Sequence, residues 1–298
     1  MSWLIFAIFA TALYGASNFI DKFLIEKRVK DPILLTIFGG IIVFIAGALI
    51  FLIAGFQKFT LLQIFALLVS GVLSEIALIP YYKALSSEDA SRIVSFFQII
   101  PVFVLVLSYI FLGETLVLKQ YLGFFFILVG GFILSIKKVG LKTLNLRKSL
   151  PYVMLASLIW AVSFVIFKFV AINANFWNTI GYEFFGVSIG AGILFLLYRK
   201  RFLSEFKIIR LNTWGIITIN ETVYFIGRLC GFYAIVLGPI ALVSVISGIQ
   251  PIFALFYGLI LSVWFPRIVK EDIAGSTLAL KIMAIIIIFA GIWFINSP

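Results

Sequence analysis

The chain repeats itself. Tyr14-Gly15-Ala16-Ser17, followed by Lys22-Phe23, returns 146 residues later as Trp160-Ala161-Val162-Ser163, followed by Lys168-Phe169. Pro101-Val102-Phe103 returns at an offset of 150 as Pro251-Ile252-Phe253, and the same offset carries Ala84-Leu85 onto Ala234-Ile235. A chain of two similar halves is restricted to folds that pair two copies of one unit. Each copy here is apolar almost throughout. The sequence is 63% hydrophobic and 12% charged, with a mean hydropathy of +1.22. Soluble domains carry about 45–50% apolar and roughly 25% charged residues. The repeated unit is therefore read as a membrane unit, and many transporters place a substrate site at the interface of two such units.

About 20 residues cross the hydrocarbon as a helix. Apolar runs occur at 2–21, 32–54, 61–84, 92–113, 117–136, 150–172, 175–198, 212–236, 240–264 and 277–295. The sequence thus predicts an all-α membrane protein of ten helices, five per half. The first run has no basic segment ahead of it and is too long for a signal-peptide core. Because five is odd, the second half enters the membrane from the opposite side. The halves, 2–137 and 149–296, are expected to form an inverted pair about an axis in the membrane plane. The basic stretch from Lys137 to Lys148 links them, and the polar segment Arg199 to Asn212 is too short to fold alone.

Composition also excludes chemistry. The single cysteine, Cys230, permits neither an internal disulfide nor a cysteine metal cluster. There is no histidine, which removes the commonest proton shuttle and every Ser-His or Cys-His pair. No Gly-x4-Gly-Lys-Ser/Thr segment is present to hold a nucleotide phosphate. No enzyme activity, metal or cofactor is expected. The net charge of +11 does not point to nucleic acid, because the basic residues segregate among alternate loops. Lys22, Lys27, Arg28 and Lys30 form one group; Lys83 and Arg92, the central linker, Arg199 to Arg210, and Arg267 with Lys270 form the others. The intervening loops hold little beyond Lys58 and Lys119. The positive-inside rule sets the basic loops, including Lys137–Lys148 and Arg199–Arg210, in the cytoplasm and both termini outside.

The arrangement resembles the drug/metabolite transporter superfamily, in particular the EamA-like transporters with ten helices in two five-helix repeats. The likeness rests on Tyr82-Lys83-Ala84-Leu85, Pro101-Val102-Phe103, Leu112-Gly113-Glu114, Gly123 and Gly130-Gly131 in the first half. Tyr233-Ala234, Pro251-Ile252-Phe253 and Gly291 carry it in the second. Two features depart from the family pattern. Val263-Trp264-Phe265 stands where the second Leu-Gly-Glu belongs, followed by an added stretch around Pro266 to Ser276. The charge bias also opposes the family's usual orientation, which has both termini in the cytoplasm.

Polar residues inside apolar runs are the functional candidates, because a charge at mid-bilayer costs about 2.5–3.5 kcal/mol on insertion scales. Glu75 and Glu221 are the proton-coupling candidates. Glu75 has no basic neighbour in sequence and is free to bind and release a proton. The repeat brings Glu75 and Glu221 to nearly equivalent places. Arg228 lies seven residues from Glu221 on the same helix face, with Tyr224 between them, so a structural ion pair is an equal alternative for these two. Glu183 is placed in the first half of its helix, near a wet interface. Tyr14 and Trp160 occupy matched positions and are candidate cavity walls, with lipid contact the alternative. Asn18, Gln98 and Gln250 are candidate substrate contacts, since a buried amide needs partners. Lys22 and Lys168 also match, and both are read as snorkelling to the interface. Pro101 and Pro251 break the fourth and ninth helices, as cavity-lining helices tolerate. Gly186-x3-Gly190 permits close helix packing.

The resemblance implies a secondary transporter that moves a small metabolite or drug-like molecule by alternating access, with proton-coupled export as its specific form. The implied setting is a multi-pass protein in the cytoplasmic membrane of a prokaryotic cell. Its partners would be a small-molecule substrate, the lipid bilayer and protons; the sequence sets no oligomeric state. The alternatives are a translocator of lipids or lipid-linked sugars and an assembly protein that keeps the fold without transport. A cavity lined by Glu75, Glu221 or Tyr14 separates the transporter from the assembly protein.

Overall fold

A computed structural model describes residues 2–29, 31–85, 96–135, 149–253, 256–257 and 275–297. These residues are all-helical, with no strand among them. The first half contains α1 (Ser2–Lys27), α2 (Ile33–Ala54), α3 (Leu61–Ile76), α4 (Leu78–Leu85), α5 (Ile100–Leu112) and α6 (Leu118–Ser135). The second contains α7 (Leu150–Ala171), α8 (Phe176–Ile208), α9 (Leu211–Leu237), α10 (Ile240–Ser247) and α11 (Gly275–Asn296). Five stretches are long and apolar enough to cross a membrane: 2–25, 33–54, 61–81, 150–171 and 176–208. Shorter apolar helices run over 97–112, 118–134, 240–253 and 280–296. At 27 residues α9 is long enough, but Asn212, Asn220, Glu221 and Arg228 dilute its apolar character, and it is not among the five.

Three of the expected helices are interrupted, and a proline explains each break. α3 stops at Ile76 and α4 starts at Leu78, because Pro80 has no N–H for the Ile76 carbonyl and its ring crowds that turn. Pro101 stands in the first turn of α5, behind a 3-10 turn at Phe97–Ile99. Pro251 likewise follows Gln250, where the helix resumes after α10. Both prolines therefore lie at the start of a helical segment rather than within one, where a missing N–H costs nothing. The polar segment after residue 198 is also not a loop. α8 runs on to Ile208, with a kink at Tyr198 (φ −116°, ψ 19°). Its continuation is amphipathic: Phe202 and Glu205 are buried, while Arg199, Lys200 and Arg201 are exposed.

The halves are interleaved. α1 packs along α9, α3 and α4 along α7, α2 and α3 along α8, and α6 along α11. The α6–α11 contact is antiparallel and reciprocal. A methyl group at Gly123 would lie 2.6 Å from the Gly291 carbonyl oxygen, and one at Gly291 would lie 2.8 Å from that of Gly123. Ile295 closes over Gly123 as Ile127 closes over Gly291. α3 and α8 also meet backbone to backbone, Gly71 against the Glu183 carbonyl and Gly186 against the Leu68 carbonyl. Gly186 thus packs closely, as its spacing suggests. α2 and α9, by contrast, touch only over a short stretch.

Candidate functional site

The centre of the bundle is organised by Arg228 of α9. Its side chain is 7% exposed and forms an ion pair with Glu183 of α8, which is fully buried. The same Nη2 donates to Ser74 Oγ on α3 at 2.8 Å. The guanidinium lies 5.3 Å from the Phe232 ring centroid. Trp160 of α7 donates its indole N–H to the Ser74 carbonyl at 2.9 Å. One short loop-free cluster therefore ties α3, α7, α8 and α9 together, across both halves. Among the described residues, Arg228 Nε and Glu183 Oε2 have no hydrogen-bond partner.

Two sequence expectations change here. Arg228 pairs with Glu183, not with Glu221. Arg228 turns toward α8 and α3, whereas Glu221 lies against Gly39 of α2. Glu183 is at the core of the cluster rather than near a wet interface.

Glu75 stands one residue after Ser74. It is 5% exposed and makes no hydrogen bond or ion pair among the described residues. Gly190 makes room for it: a methyl group there would lie 2.7 Å from Glu75 Cβ. Tyr14 and Tyr224 meet beside the cluster with ring centroids 5.4 Å apart. Tyr81, Phe97 and Trp160 form an aromatic triangle, with centroid distances of 5.3, 5.5 and 6.0 Å.

A second polar group lies next to the first. Ser17 donates to Asn220 Oδ1 at 2.9 Å, and Asn220 Nδ2 donates to Asp21 Oδ1 at 2.7 Å. Glu221 lies against α2, where a methyl group at Gly39 would be 2.6 Å from Oε2. Glu221 is within electrostatic reach of both Asp21 and Glu75, and Tyr81 of both Asp21 and Tyr224. Tyr224 is 39% exposed, and Tyr14, Asp21, Tyr81 and Glu221 are half-buried.

The remaining candidates lie apart from this centre. Gln98 donates to the Gly248 carbonyl at 3.0 Å, joining the two helix breaks, and its Oε1 has no partner. Gln250 packs near Gly15 on α1, and Asn18 is exposed and joins none of these contacts. Lys168 does not snorkel. It is 5% exposed and donates to the Ile235 and Gly238 carbonyls at the end of α9. Glu114 of the Leu-Gly-Glu motif lies 3.4 Å from Lys168 and accepts the Ile240 N–H at 2.9 Å, capping α10. The linker 137–148, Arg92 and the stretch 258–274 lie outside the described residues.

Sequence reading passed over Asp21, Ser17, Ser74 and Tyr81. Asp21 sits two turns beyond Tyr14 on the same helix face, and α1 continues six residues past the apolar run that ended at 21. As the last residue of that run Asp21 reads as a helix end, whereas in the structure it lies six residues inside the helix.

No curated protein matches this chain. Among the solved structures similar to this chain, a crystal structure of a protein shares 16% identity and a TM-score of 0.73, covering 99% of this chain and 96% of that one. At that identity the likeness concerns the fold alone. The apolar helices, interleaved halves and buried charges describe an integral multi-pass membrane protein. Residues 1–136 match the model of the EamA-like transporter family, in agreement with the drug/metabolite transporter resemblance of the sequence.

Proposed function

We propose that the chain is a secondary transporter that moves a small metabolite or drug-like molecule across the membrane by alternating access between two inverted five-helix halves, 2–137 and 149–296. The observation that carries this reading is Glu75. A carboxyl group that is buried and has no hydrogen bond or ion pair among the described residues contributes nothing evident to folding and is costly at membrane depth. It has a use if it takes up a proton or part of a substrate. The proposed form is proton-coupled export, with Glu75 and Glu221 as the coupling groups. Tyr14, Trp160, Tyr224 and the Arg228–Glu183 pair form the substrate site.

The inverted pairing is supported by contacts at equivalent positions. Ser17 meets Asn220, and their counterparts at offsets of 146 and 150, Ser163 and Ser70, meet through a hydrogen bond of 2.8 Å. Tyr14 meets Tyr224, and their counterparts Trp160 and Ser74 meet likewise. Gln98 bonds Gly248, which is its own counterpart 150 residues on. Gly123 and Gly291, and Ile127 and Ile295, are each 168 residues apart, so the added stretch after residue 263 lengthens the offset without altering the pairing. Reciprocal contacts of this kind are the mark of a two-fold axis.

Purified protein in liposomes, tested with a panel of labelled metabolites under an imposed proton gradient, provides the test. Uphill movement of at least one solute is expected, with Glu75→Gln abolishing accumulation and sparing exchange. Unchanged uphill transport by Glu75→Gln at normal expression excludes the role assigned to that residue.

A further inference from the structure

We infer that the kink of α8 binds an anionic phospholipid of the surrounding bilayer, with its phosphate on Arg199 and Lys200 and an acyl chain against Leu196 and Leu197. This goes beyond the transporter reading and does not rest on it, because it asks only that the chain span a membrane.

The site begins with the order of residues along α8. Leu196 and Leu197 close its apolar run, Tyr198 follows, and Arg199, Lys200 and Arg201 come next. Tyr198 leaves the helical conformation, and the residues from Leu196 to Arg201 line one concavity on the surface. Leu196 is 77% and Leu197 67% exposed. Arg199 and Lys200 are exposed beside them. A concavity that is apolar on one side and cationic on the other is complementary to an amphiphile with a negative head. A free phosphate would meet the cations and leave both leucines bare. A zwitterionic lipid brings its own ammonium to its phosphate and gains less from a second cation.

The two cations are available. Arg201 is held by Asp31 and stands 5.3 Å from the Tyr198 ring centroid. Arg199 and Lys200 meet no acidic side chain among the described residues. Glu205, the nearest acid in sequence, is buried. The surroundings add to the same field. Lys27, Arg28 and Arg210 line a cleft of their own, and all three are exposed. The Arg201–Asp31 pair joins the kink to that cleft, since Asp31 follows Arg28 by three residues.

Apolar surface accompanies these cations past the kink. Leu203, Phe206, Ile208 and Leu211 are all exposed large apolar side chains. Such a mixture suits the headgroup level of a bilayer, where apolar side chains meet acyl chains and cations meet phosphates. The positive-inside rule alone asks for charge in a loop. It calls for neither a concavity nor leucines exposed within it.

The test uses the full chain, delipidated in detergent, with native mass spectrometry to count bound lipids. The probes are phosphatidylglycerol and phosphatidylcholine with the same acyl chains, and glycerol 3-phosphate, which carries a phosphate without chains. The first phosphatidylglycerol is expected to bind at least about tenfold more tightly than phosphatidylcholine, because each cation at a lipid surface is worth about fivefold. Arg199→Gln with Lys200→Gln should remove that preference and leave phosphatidylcholine unaltered. Lys58→Gln, an exposed cation after the other end of α2, should change neither. Unchanged elution and melting temperature show that the variants fold. If the double variant fails to fold, Arg199→Gln alone takes its place, with an expected loss of about fivefold. Equal affinity for the two lipids would overturn the inference. So would a preference that survives the double substitution, or one that Lys58→Gln reduces as much. Displacement of phosphatidylglycerol by equimolar glycerol 3-phosphate would show a phosphate site and no lipid site. No transport enters the measurement, so its outcome is separate from that of the transporter reading.

Discussion

At the scale of the residue, the sequence exposes the charged positions and conceals their partners. Glu75, Glu183, Glu221 and Arg228 stand out because an ionisable side chain in an apolar run must have a reason to be there. Their pairing depends on which helices are neighbours, and no spacing within one helix contains that. Arg228 reaches Glu183 across from α8, forty-five residues away. Lys168 is concealed in the same way, since the carbonyls it satisfies belong to α9. The Arg228–Glu183 pair is deeply buried on both sides, so removing one partner leaves a lone charge. Glu183→Gln or Arg228→Met alone should destabilise the protein by about 3–5 kcal/mol, read as a lowered melting temperature in detergent. Replacing both by Met should recover most of that loss and still abolish transport. Swapping Glu221 with Arg228 should restore nothing, because those two side chains do not touch. A swap that restores stability would mean the pairing is wrong.

At the scale of the element, helix existence was legible and helix continuity was not. Apolar runs became helices wherever the chain is described, five of them long enough to cross a membrane, because about 20 apolar residues have few other ways to satisfy their backbone in lipid. The break at Ala77 escaped notice, since Pro80 looks like an ordinary proline near a helix end until its missing N–H is counted. The extension of α8 escaped for the opposite reason: charged residues conceal an amphipathic helix whose buried face is short. The elements also break the symmetry of the halves in an instructive place. Gly71 of α3 lies against Gly186 of α8; at an offset of 150 the counterpart of Gly71 is Glu221 of α9, which lies against Gly39 of α2. One pair is closed backbone to backbone; the other holds a carboxyl group between the helices. In the proposed cycle the two contacts exchange, so α2 must close on α9 over Glu221. That closure is favourable only when the carboxyl is neutralised or moved aside. Glu221→Gly, which restores the Gly71 pattern, should shorten the α2–α9 distance between spin labels without substrate. An unaltered distance distribution would show that Glu221 does not hold these helices apart. Gly71→Leu, by contrast, should prevent the α3–α8 contact and reduce folded yield severely, since the obstacle it meets is backbone.

At the scale of the whole molecule, the basic residues that are scattered in sequence converge in space. Lys27 and Arg28 at the end of α1 share a cleft with Ile208, Ile209 and Arg210, which join α8 to α9, and with Thr213. Arg201 reaches Asp31 from the same region, and Arg199 and Lys200 stay exposed beside it. One end of the molecule is therefore strongly positive. Because α1 finishes there, its first residue, Ser2, starts at the other end. Positive loops are retained in the cytoplasm during insertion, and only short loops and the residues flanking spans count in that rule. These loops are short, so the rule applies with full force. The basic end is expected in the cytoplasm and the N-terminus outside. Ten spans would return the C-terminus to the outer side as well. Alkaline phosphatase, active only outside, and green fluorescent protein, fluorescent only inside, distinguish the possibilities when fused after Ser297. Phosphatase activity without fluorescence is the expected pattern. Neutralising Lys27, Arg28, Arg199, Lys200, Arg201 and Arg210 together should weaken or invert it. A fluorescent C-terminal fusion in the unaltered chain would show that the EamA-like orientation prevails over the loop charges.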